Sequence, residues 1–430
     1  MKSFILNLFT MLLVVSLFIA CTKMDDSSEM QNSNITIENV LNSKPLVQSG
    51  TFEGTGTAPV IFPGQSVSFS FYAGKNQAIT FATMYGWSND LFFAPSNPGI
   101  KLYTDDGTPI VGDVSSQIKL WDNGTRVNQK PGKDVMQPGE SEPTIRNIEE
   151  INGTDRYGNT YLPASQLMKV SLAYNGSSNF TLTITNNSEG TMNETPFSPG
   201  IWAISYVAGG NQLLPNPIYT DGQETANGLT NLAESGDNSV MSTYLTDLTG
   251  IFTPLSPVLV IVYNGSQNPF YEVDEYDRGE GLKELAQMGN AEVLAATLKQ
   301  KSGVKAVYVL EDPANKVLLP RMNGEEGGKV SQQLNISAGD RIAVATMYGF
   351  SNDWFFATKG NGVDASEKGD ISISLFDNGT AVDQFPGASI TQFNLDGSPL
   401  EENNPIRSVP NPNSFTTLPA TNEIIKVTLH

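Results

Sequence analysis

The sequence contains a long internal repeat, and this duplication limits the possible folds more than any other feature. Residues 83–94 (TMYGWSNDLFFA) return as 346–357 (TMYGFSNDWFFA), with ten of the twelve positions identical. Farther along, the tetrapeptide DNGT at 122–125 returns at 377–380. The offset between paired positions is 263 in the first pair and 255 in the second, so it stays nearly constant. A repeat of this length indicates a duplicated domain.

A second, shorter repeat lies between the two long copies. Residues 228–236 (GLTNLAESG) are echoed by 281–289 (GLKELAQMG). The long repeat is thus split around two copies of the short one, and the first long copy has no short unit in front of it. Either the first domain is a reduced one, or residues 198–248, which follow it in the sequence, complete it in a permuted arrangement.

Alternation of polar and apolar residues predicts β-strands in both copies. A period of two places every apolar side chain on one face of an extended chain. This pattern occurs at 66–71, 180–184, 371–375 and 425–429. Turn-forming pairs such as Asn-Gly and Asp-Gly separate such runs, which favours an all-β fold of two antiparallel β-sandwich domains. Residues 281–300 instead carry apolar residues among good helix formers, which predicts two short inserted helices joined at Gly289-Asn290.

The composition argues against several classes of function. The 430 residues include 25 Lys and Arg against 45 Asp and Glu, a net charge of -20 that does not suit a nucleic-acid partner. The single histidine is His430 and the single cysteine is Cys21. A Ser-His-Asp triad, a Cys-His dyad, a two-histidine metal site and an internal disulfide therefore do not fit this chain. Carboxylates remain as the main source of chemistry.

The N-terminus has the pattern of a secretory signal that ends at the lone cysteine. Lys2 is followed by an apolar run from residue 4 to 20. Residues 17–21 (LFIAC) resemble a bacterial lipobox, and the following TKMDD resembles the signal that sends lipoproteins of Bacteroidetes-like bacteria to the cell surface. We expect a surface-exposed outer-membrane lipoprotein anchored through a lipid on Cys21, with an ordinary cleaved signal as the alternative. The predicted segments are a signal peptide at 1–21, a flexible tether at 22–33, a first domain at 34–187 and a second, fuller domain at 188–430.

Aspartates stand in the best-matched stretches of both copies. Asp90 and Asp122 in the first copy correspond to Asp353 and Asp377 in the second. A hard cation needs several oxygen ligands at about 2.3–2.6 Å, and loops at the end of a β-sandwich can supply them. The alternative is that the Asn-Asp and Asp-Asn-Gly sequences simply form turns.

These stretches resemble the spondin domain, which occurs in animal matrix proteins and in many bacterial surface proteins. The resemblance rests on the Ser-Asn-Asp-Leu/Trp-Phe-Phe run, the Trp/Phe-Asp-Asn-Gly-Thr stretch and the Gly-Leu, Leu-Ala, Gly unit, and it covers nearly all of residues 34–430. It implies a C2-like β-sandwich that binds calcium. It also implies a role in adhesion to an extracellular protein or glycan, so we expect a binding protein and not an enzyme.

The resemblance also places a set of calcium ligands on this chain. The family's calcium aspartates fall on Asp90 and Asp122, and on Asp353 and Asp377. A further acidic ligand falls on Arg126, whose guanidinium would repel the ion, and on Ala381, which offers it nothing. Two residues beyond these positions stand the possible substitutes, which are Asn128 in the first copy and Asp383 in the second.

Aromatic residues cluster beside these loops, and they bear on two alternative functions. An exposed ring next to a calcium loop would suit stacking on a sugar, whereas the alternative is packing in the core. A glycan-binding lipoprotein for nutrient capture would use exposed rings such as Trp87 and Trp354. A carboxylate-based hydrolase would need two carboxylates about 5–10 Å apart across a cleft. The rings in question are Tyr85, Trp87, Phe92, Phe93, Tyr348, Phe350, Trp354, Phe355 and Phe356.

Overall fold

A computed structural model describes residues 31–430. The predicted signal peptide, the lipidation site Cys21 and most of the predicted tether lie outside the described residues. The tether prediction is wrong for residues 31–33, which pair with residues 334–336 as part of a β-strand. Within the described part of the chain, no helix has the length and apolar character needed to cross a membrane.

The described chain is built mainly from β-strands. Those before residue 200 are β1 (Gln31–Asn39), β2 (Leu46–Phe52), β3 (Ser66–Tyr72), β4 (Ala78–Met84), β5 (Leu91–Pro95), β6 (Ile100–Lys101), β7 (Gly112–Asp113), β8 (Ile118–Asp122), β9 (Glu149–Glu150), β10 (Met168–Gly176) and β11 (Asn179–Asn186). Those from residue 200 onward are β12 (Gly200–Ser205), β13 (Val207–Ala208), β14 (Asn211–Gln212), β15 (Val258–Tyr263), β16 (Val304–Leu310), β17 (Lys329–Ile336), β18 (Arg341–Met347), β19 (Trp354–Thr358), β20 (Val363–Asp364), β21 (Gly369–Asp370), β22 (Ile373–Asp377), β23 (Arg407–Ser408) and β24 (Ile425–Leu429). The helices are α1 (Ala164–Leu167), α2 (Leu229–Ser235), α3 (Ser239–Leu248), α4 (Leu282–Met288), α5 (Glu292–Leu298) and α6 (Thr421–Ile424), and 3₁₀ turns lie at Ser115–Gln117 and Phe393–Leu395.

The sheets divide the structure into two lobes with the same strand arrangement. In lobe 1 the larger sheet has the order β2-β12-β4-β5-β8-β9, with β6 paired to β4, and the smaller sheet has the order β3-β11-β10-β7. In lobe 2 the corresponding orders are β16-β15-β18-β19-β22-β23, with β20 paired to β18, and β17-β1-β24-β21. The pairings between these strands are antiparallel. The prediction of an all-β fold with antiparallel sandwiches and short helical insertions is confirmed.

The lobes do not follow the predicted boundary between residues 187 and 188. Strand β12 pairs with β2 and β4, so it belongs to lobe 1, where it has the place that β15 has in lobe 2. Conversely, β1 pairs with β17 and β24 and so belongs to lobe 2. In lobe 1 the corresponding place is held by β11, between β3 and β10. Lobe 1 is therefore permuted, and it is inserted between β1 and the rest of lobe 2.

Each lobe has three layers, with the larger sheet in the middle. Strand β15 has the sequence VLVIVY and is buried on both faces. Leu259 and Ile261 point into a cluster with helices α4 and α5, whereas Val258 and Val260 point toward the smaller sheet. A continuous apolar run is typical of a strand covered on both sides. The alternating strands β3 and β11 belong to the smaller sheet of lobe 1, and each has one more buried and one more exposed face.

The short repeat forms the first helix of a helix pair in each lobe, and the two helices predicted for residues 281–300 are α4 and α5. Helix α4 ends at Gly289, whose positive φ of 71° suits glycine. The Gly289 and Asn290 N–H groups donate to the carbonyls of Leu285 and Glu284, which closes the helix. Gly236, with a φ of 70°, ends α2 in the same way. The helix pairs cover the outer face of the larger sheet in each lobe.

The apolar core between the sheets continues from one lobe into the other. The Tyr206 ring of lobe 1 packs against Phe252 and Phe350 of lobe 2, with ring centroids 5.8 and 6.0 Å apart. The buried amide of Gln77 donates to the Gly387 carbonyl across the same interface at 2.8 Å. The lobes thus share buried apolar and polar contacts.

Candidate metal centre

The predicted aspartates come together in each lobe because their strands are neighbours in the larger sheet. Asp353 immediately precedes β19 and Asp377 ends β22, where it pairs with Trp354. Asp90 and Asp122 stand in the same relation, since Leu91 pairs with Asp122. All four carboxylates are almost fully buried.

One oxygen of the first aspartate shapes the loop that follows the second. In lobe 2, Asp353 Oδ2 accepts hydrogen bonds from the Thr380 N–H, the Thr380 hydroxyl and the Ala381 N–H at 2.6, 2.9 and 2.9 Å. In lobe 1, Asp90 Oδ2 accepts from the corresponding groups of Thr125 and Arg126 at 2.7, 3.0 and 2.8 Å. These bonds support the interpretation that the aspartates form turns. They use only the Oδ2 atom of Asp353 and of Asp90, so the Oδ1 atoms are not part of the turn.

The other oxygen of the first aspartate has no hydrogen-bond partner among residues 31–430. This holds for Asp353 Oδ1 and equally for Asp90 Oδ1, and both atoms are buried. Burial and then the nearby charge of Asp377 raise the pKa of Asp353 to about 8. Burial and the charge of Asp122 likewise raise the pKa of Asp90 to about 7. A buried carboxylate oxygen without a partner is costly, and a proton or a cation would relieve that cost.

Lobe 2 adds a third carboxylate to its pair. One oxygen from each of Asp353, Asp377 and Asp383 lies within 4.8 Å of the other two. The Trp354 indole N–H donates to Asp383 Oδ1 at 2.6 Å and so orients this side chain. Burial and then repulsion from Asp377 raise the pKa of Asp383 to about 7. Three converging carboxylates with an unpaired buried oxygen fit a hard cation such as calcium.

Lobe 1 has an amide in place of the third carboxylate. Asn128 donates from Nδ2 to Asp122 Oδ2 at 2.9 Å, so its side chain reaches the expected position. The guanidinium of Arg126, which the resemblance put at a ligand position, does not contact either aspartate of the pair. It points away to Glu234 Oε2 at 2.7 Å and to the Ser141 hydroxyl at 2.9 Å. Only the backbone N–H of Arg126 donates to Asp90, because that N–H belongs to the turn.

Two arginines that the sequence analysis missed contact the second aspartate of each pair. Arg407 lies on Asp377 Oδ2, with Nε at 2.9 Å and Nη2 at 2.8 Å. Arg146 donates from Nη2 to Asp122 Oδ2 at 2.6 Å. The two positions are not equivalent in the fold, since Arg407 is paired with Asp377 across the strands whereas Glu149 is paired with Asp122. An alignment of the two repeats therefore does not show that both arginines contact the second aspartate of their pair.

The aromatic residues beside the loops are core residues in eight of nine cases. Of the two alternatives for these rings, core packing holds for Tyr85, Phe92, Phe93, Tyr348, Phe350, Trp354, Phe355 and Phe356, which are at most 2% exposed. Trp87 is partly buried and also packs against the core. Trp354 packs edge-on against Tyr348 and hydrogen-bonds Asp383, so it does not line a surface groove.

No model of a known protein family matches the chain, and no curated protein sequence matches it either. The similarity to the spondin domain therefore stays a prediction from the matched motifs. The structural feature relevant to this prediction is the cluster of Asp353, Asp377 and Asp383 in lobe 2, which are the residues that the sequence analysis gave as calcium ligands.

Proposed function

We propose that this protein is a calcium-binding surface lipoprotein that holds an extracellular protein or glycan, with one structural calcium ion in lobe 2. The single observation that carries the calcium site is Asp353 Oδ1, a buried carboxylate oxygen without a partner among the described residues, within a cluster of three aspartates. Cys21 would supply the lipid anchor. The adhesive role and the anchor are supported by the motif resemblance and by the N-terminal sequence.

The formal charges in lobe 2 suit a divalent cation. Asp353, Asp377 and Asp383 contribute -3, and Arg407 contributes +1, which leaves -2. Calcium prefers oxygen ligands and tolerates irregular geometry, and extracellular sites commonly bind it in the millimolar range. When bound, it would neutralise the cluster and tie the loop before β19 to the loop after β22.

The burial of the cluster favours a structural ion over a catalytic one. Asp353 and Asp377 are 0% and 1% exposed, so a polysaccharide chain has no access to them. The hydrolase alternative would need carboxylates that a substrate can reach. The nutrient-capture alternative also loses support at Trp354, because this ring is part of the core.

Replacing Asp353 by Asn tests the calcium site with little change in shape. The amide oxygen can keep the three hydrogen bonds of the turn, while the amide nitrogen takes the place of the unpaired Oδ1 and cannot bind a cation. Thermal melting of residues 22–430 would be compared in calcium, magnesium and chelator. We expect calcium alone to raise the melting temperature of the natural sequence by a few degrees, since filling at a hundredfold excess over Kd adds about 2.7 kcal/mol.

The Asp353→Asn variant should lose this calcium-specific rise, and Asp90→Asn in lobe 1 is the matched control that should keep it. The absence of a calcium-specific rise in the natural sequence would contradict the proposed site. So would a rise of equal size in Asp353→Asn. Adhesion would then be tested separately, by calcium-dependent binding to immobilised matrix proteins and to a glycan array.

A further inference from the structure

We infer that Arg146 takes the place of the metal ion in lobe 1. The duplicated site would then be a calcium site in lobe 2 and an internal ion-pair cluster in lobe 1. This inference rests on the proposed function only for lobe 2, because the contacts of Arg146 are independent of any ion.

Arg146 is held by three carboxylates at once. Its Nε, Nη1 and Nη2 atoms donate to Glu142 Oε1, Glu149 Oε1 and Asp122 Oδ2 at 2.8, 2.7 and 2.6 Å. Its side chain is only 13% exposed. Short, charge-assisted bonds from all three nitrogens of a guanidinium fix its position. Arg146 is therefore a built-in cation of the cluster.

Arg407 in lobe 2 is held much less firmly. Both of its contacting nitrogens lie on the same atom, Asp377 Oδ2, and its distance to Asp383 Oδ2 is 3.9 Å. The side chain is 55% exposed. A long, exposed side chain with one point of attachment can turn toward solvent when a cation arrives, whereas Arg146 would have to break three ion-pair hydrogen bonds, two of them part-buried.

The Asp122 carboxylate has its oxygens engaged by protein donors. Oδ1 accepts from the Gly124 N–H at 2.7 Å, and Oδ2 accepts from both Asn128 and Arg146. In lobe 2, Asp377 Oδ1 accepts in the same way from the Gly379 N–H at 2.8 Å, but among residues 31–430 Asp377 Oδ2 accepts from Arg407 alone. A calcium ion in lobe 1 would have to displace these donors from Asp122.

The charges of lobe 1 lead to the same conclusion. Arg146 contributes a fixed positive charge beside Asp122, and the neutral Asn128 stands where lobe 2 has its third aspartate. A divalent ion in lobe 1 would lie beside this fixed guanidinium. Repulsion between two cations at such short range in a buried site is large. The ligand set of lobe 1 therefore does not fit calcium while Arg146 is present.

Counting bound calcium ions tests this assignment. Equilibrium dialysis of residues 22–430 against calcium should give one ion for the natural sequence, none for Asp353→Asn and one for Asp90→Asn. Arg146→Gln should bind a second ion, because it removes the fixed positive charge from Asp122 Oδ2 beside the unpaired Asp90 Oδ1. The same variant should melt lower than the natural sequence in chelator and recover part of that loss in calcium.

Several results would overturn the inference. One is two ions in the natural sequence with only one in Asp90→Asn, since lobe 1 would then bind calcium despite Arg146. Another is a folded Arg146→Gln that gains no ion. If Arg146→Gln fails to fold, the Asp90→Asn count still decides whether lobe 1 binds calcium. Zero ions in the natural sequence would defeat the proposed function of lobe 2, whereas a gain of one ion in Arg146→Gln would still support the role of Arg146.

Discussion

The two oxygens of Asp353 have different surroundings, and this difference explains how one residue serves two purposes. Oδ2 accepts three hydrogen bonds from Thr380 and Ala381, which fixes the loop whether or not an ion is present. Oδ1 has no protein partner within residues 31–430. The fold therefore stabilises the site before any ion binds, and the cost of the unpaired oxygen is what an ion would remove.

This cost should make the ion-free protein less stable as the pH rises. The pKa of Asp353 is about 8 when folded, against an ordinary value of 3.8, so between these values the folded state holds more protons than the unfolded state. Stability then falls with rising pH. In chelator, the melting temperature should fall between about pH 5.5 and pH 8.5, and Asp353→Asn should weaken this dependence. Calcium should counteract the fall, because metal binding needs ionised carboxylates. A melting temperature in chelator that does not fall over this range would contradict the prediction.

The sequence predicts these carboxylates well and their counter-ions poorly. The duplication identifies Asp90, Asp122, Asp353 and Asp377, because each lies in a stretch that is nearly identical in the two repeats. The duplication does not identify Arg146. This residue reaches Asp122 from the loop before β9, whereas Arg407 reaches Asp377 from the paired strand β23, so the two arginines do not stand at matching positions of the repeat. Which way a long side chain such as Arg126 turns depends on neighbours distant in sequence, here Glu234.

The strand β1 shows what periodicity predicts and what it leaves open at the level of elements. Ile35 and Ile37 alternate with polar residues and are both fully buried, so this run has the period of a strand, although it is not among the strands predicted from the sequence. Periodicity carries no information about the neighbouring strands. The pairing of Ile37 with Val330 and Val427 places β1 in lobe 2, more than 290 residues away along the chain.

Truncating one buried residue of β1 should therefore destabilise lobe 2. Ile37→Ala should lower the free energy of unfolding by about 2–5 kcal/mol, because it leaves a cavity between two sheets. Thr36→Ala is the matched control on the outer face of the same strand, where a change of about 0.5 kcal/mol or less is expected. Denaturant unfolding in chelator measures both values. Equal effects of the two changes would mean that β1 does not contribute to the core.

The insertion of lobe 1 into lobe 2 joins the two lobes at two chain crossings, after β1 and after α3. The interface between them is also hydrogen-bonded in its interior. The Ser178 hydroxyl donates to Gln384 Oε1 at 3.2 Å and accepts from the Ile390 N–H at 3.0 Å. Breaking such buried polar contacts is unfavourable, so opening the interface costs more than its apolar area alone suggests.

The whole molecule should consequently unfold in a single cooperative step, and calcium bound in lobe 2 should stabilise lobe 1 as well. Scanning calorimetry should show one transition with matching calorimetric and van't Hoff enthalpies, and calcium should move that transition as a unit. Hydrogen exchange should slow in β11 of lobe 1 as well as in β24 of lobe 2 when calcium is added, if both exchange through global unfolding.

Tyr206→Ala removes the ring that packs on Phe252 and Phe350, so it should uncouple the lobes and split the transition. Two transitions in the natural sequence, with only one moved by calcium, would show instead that the shared core does not couple the lobes.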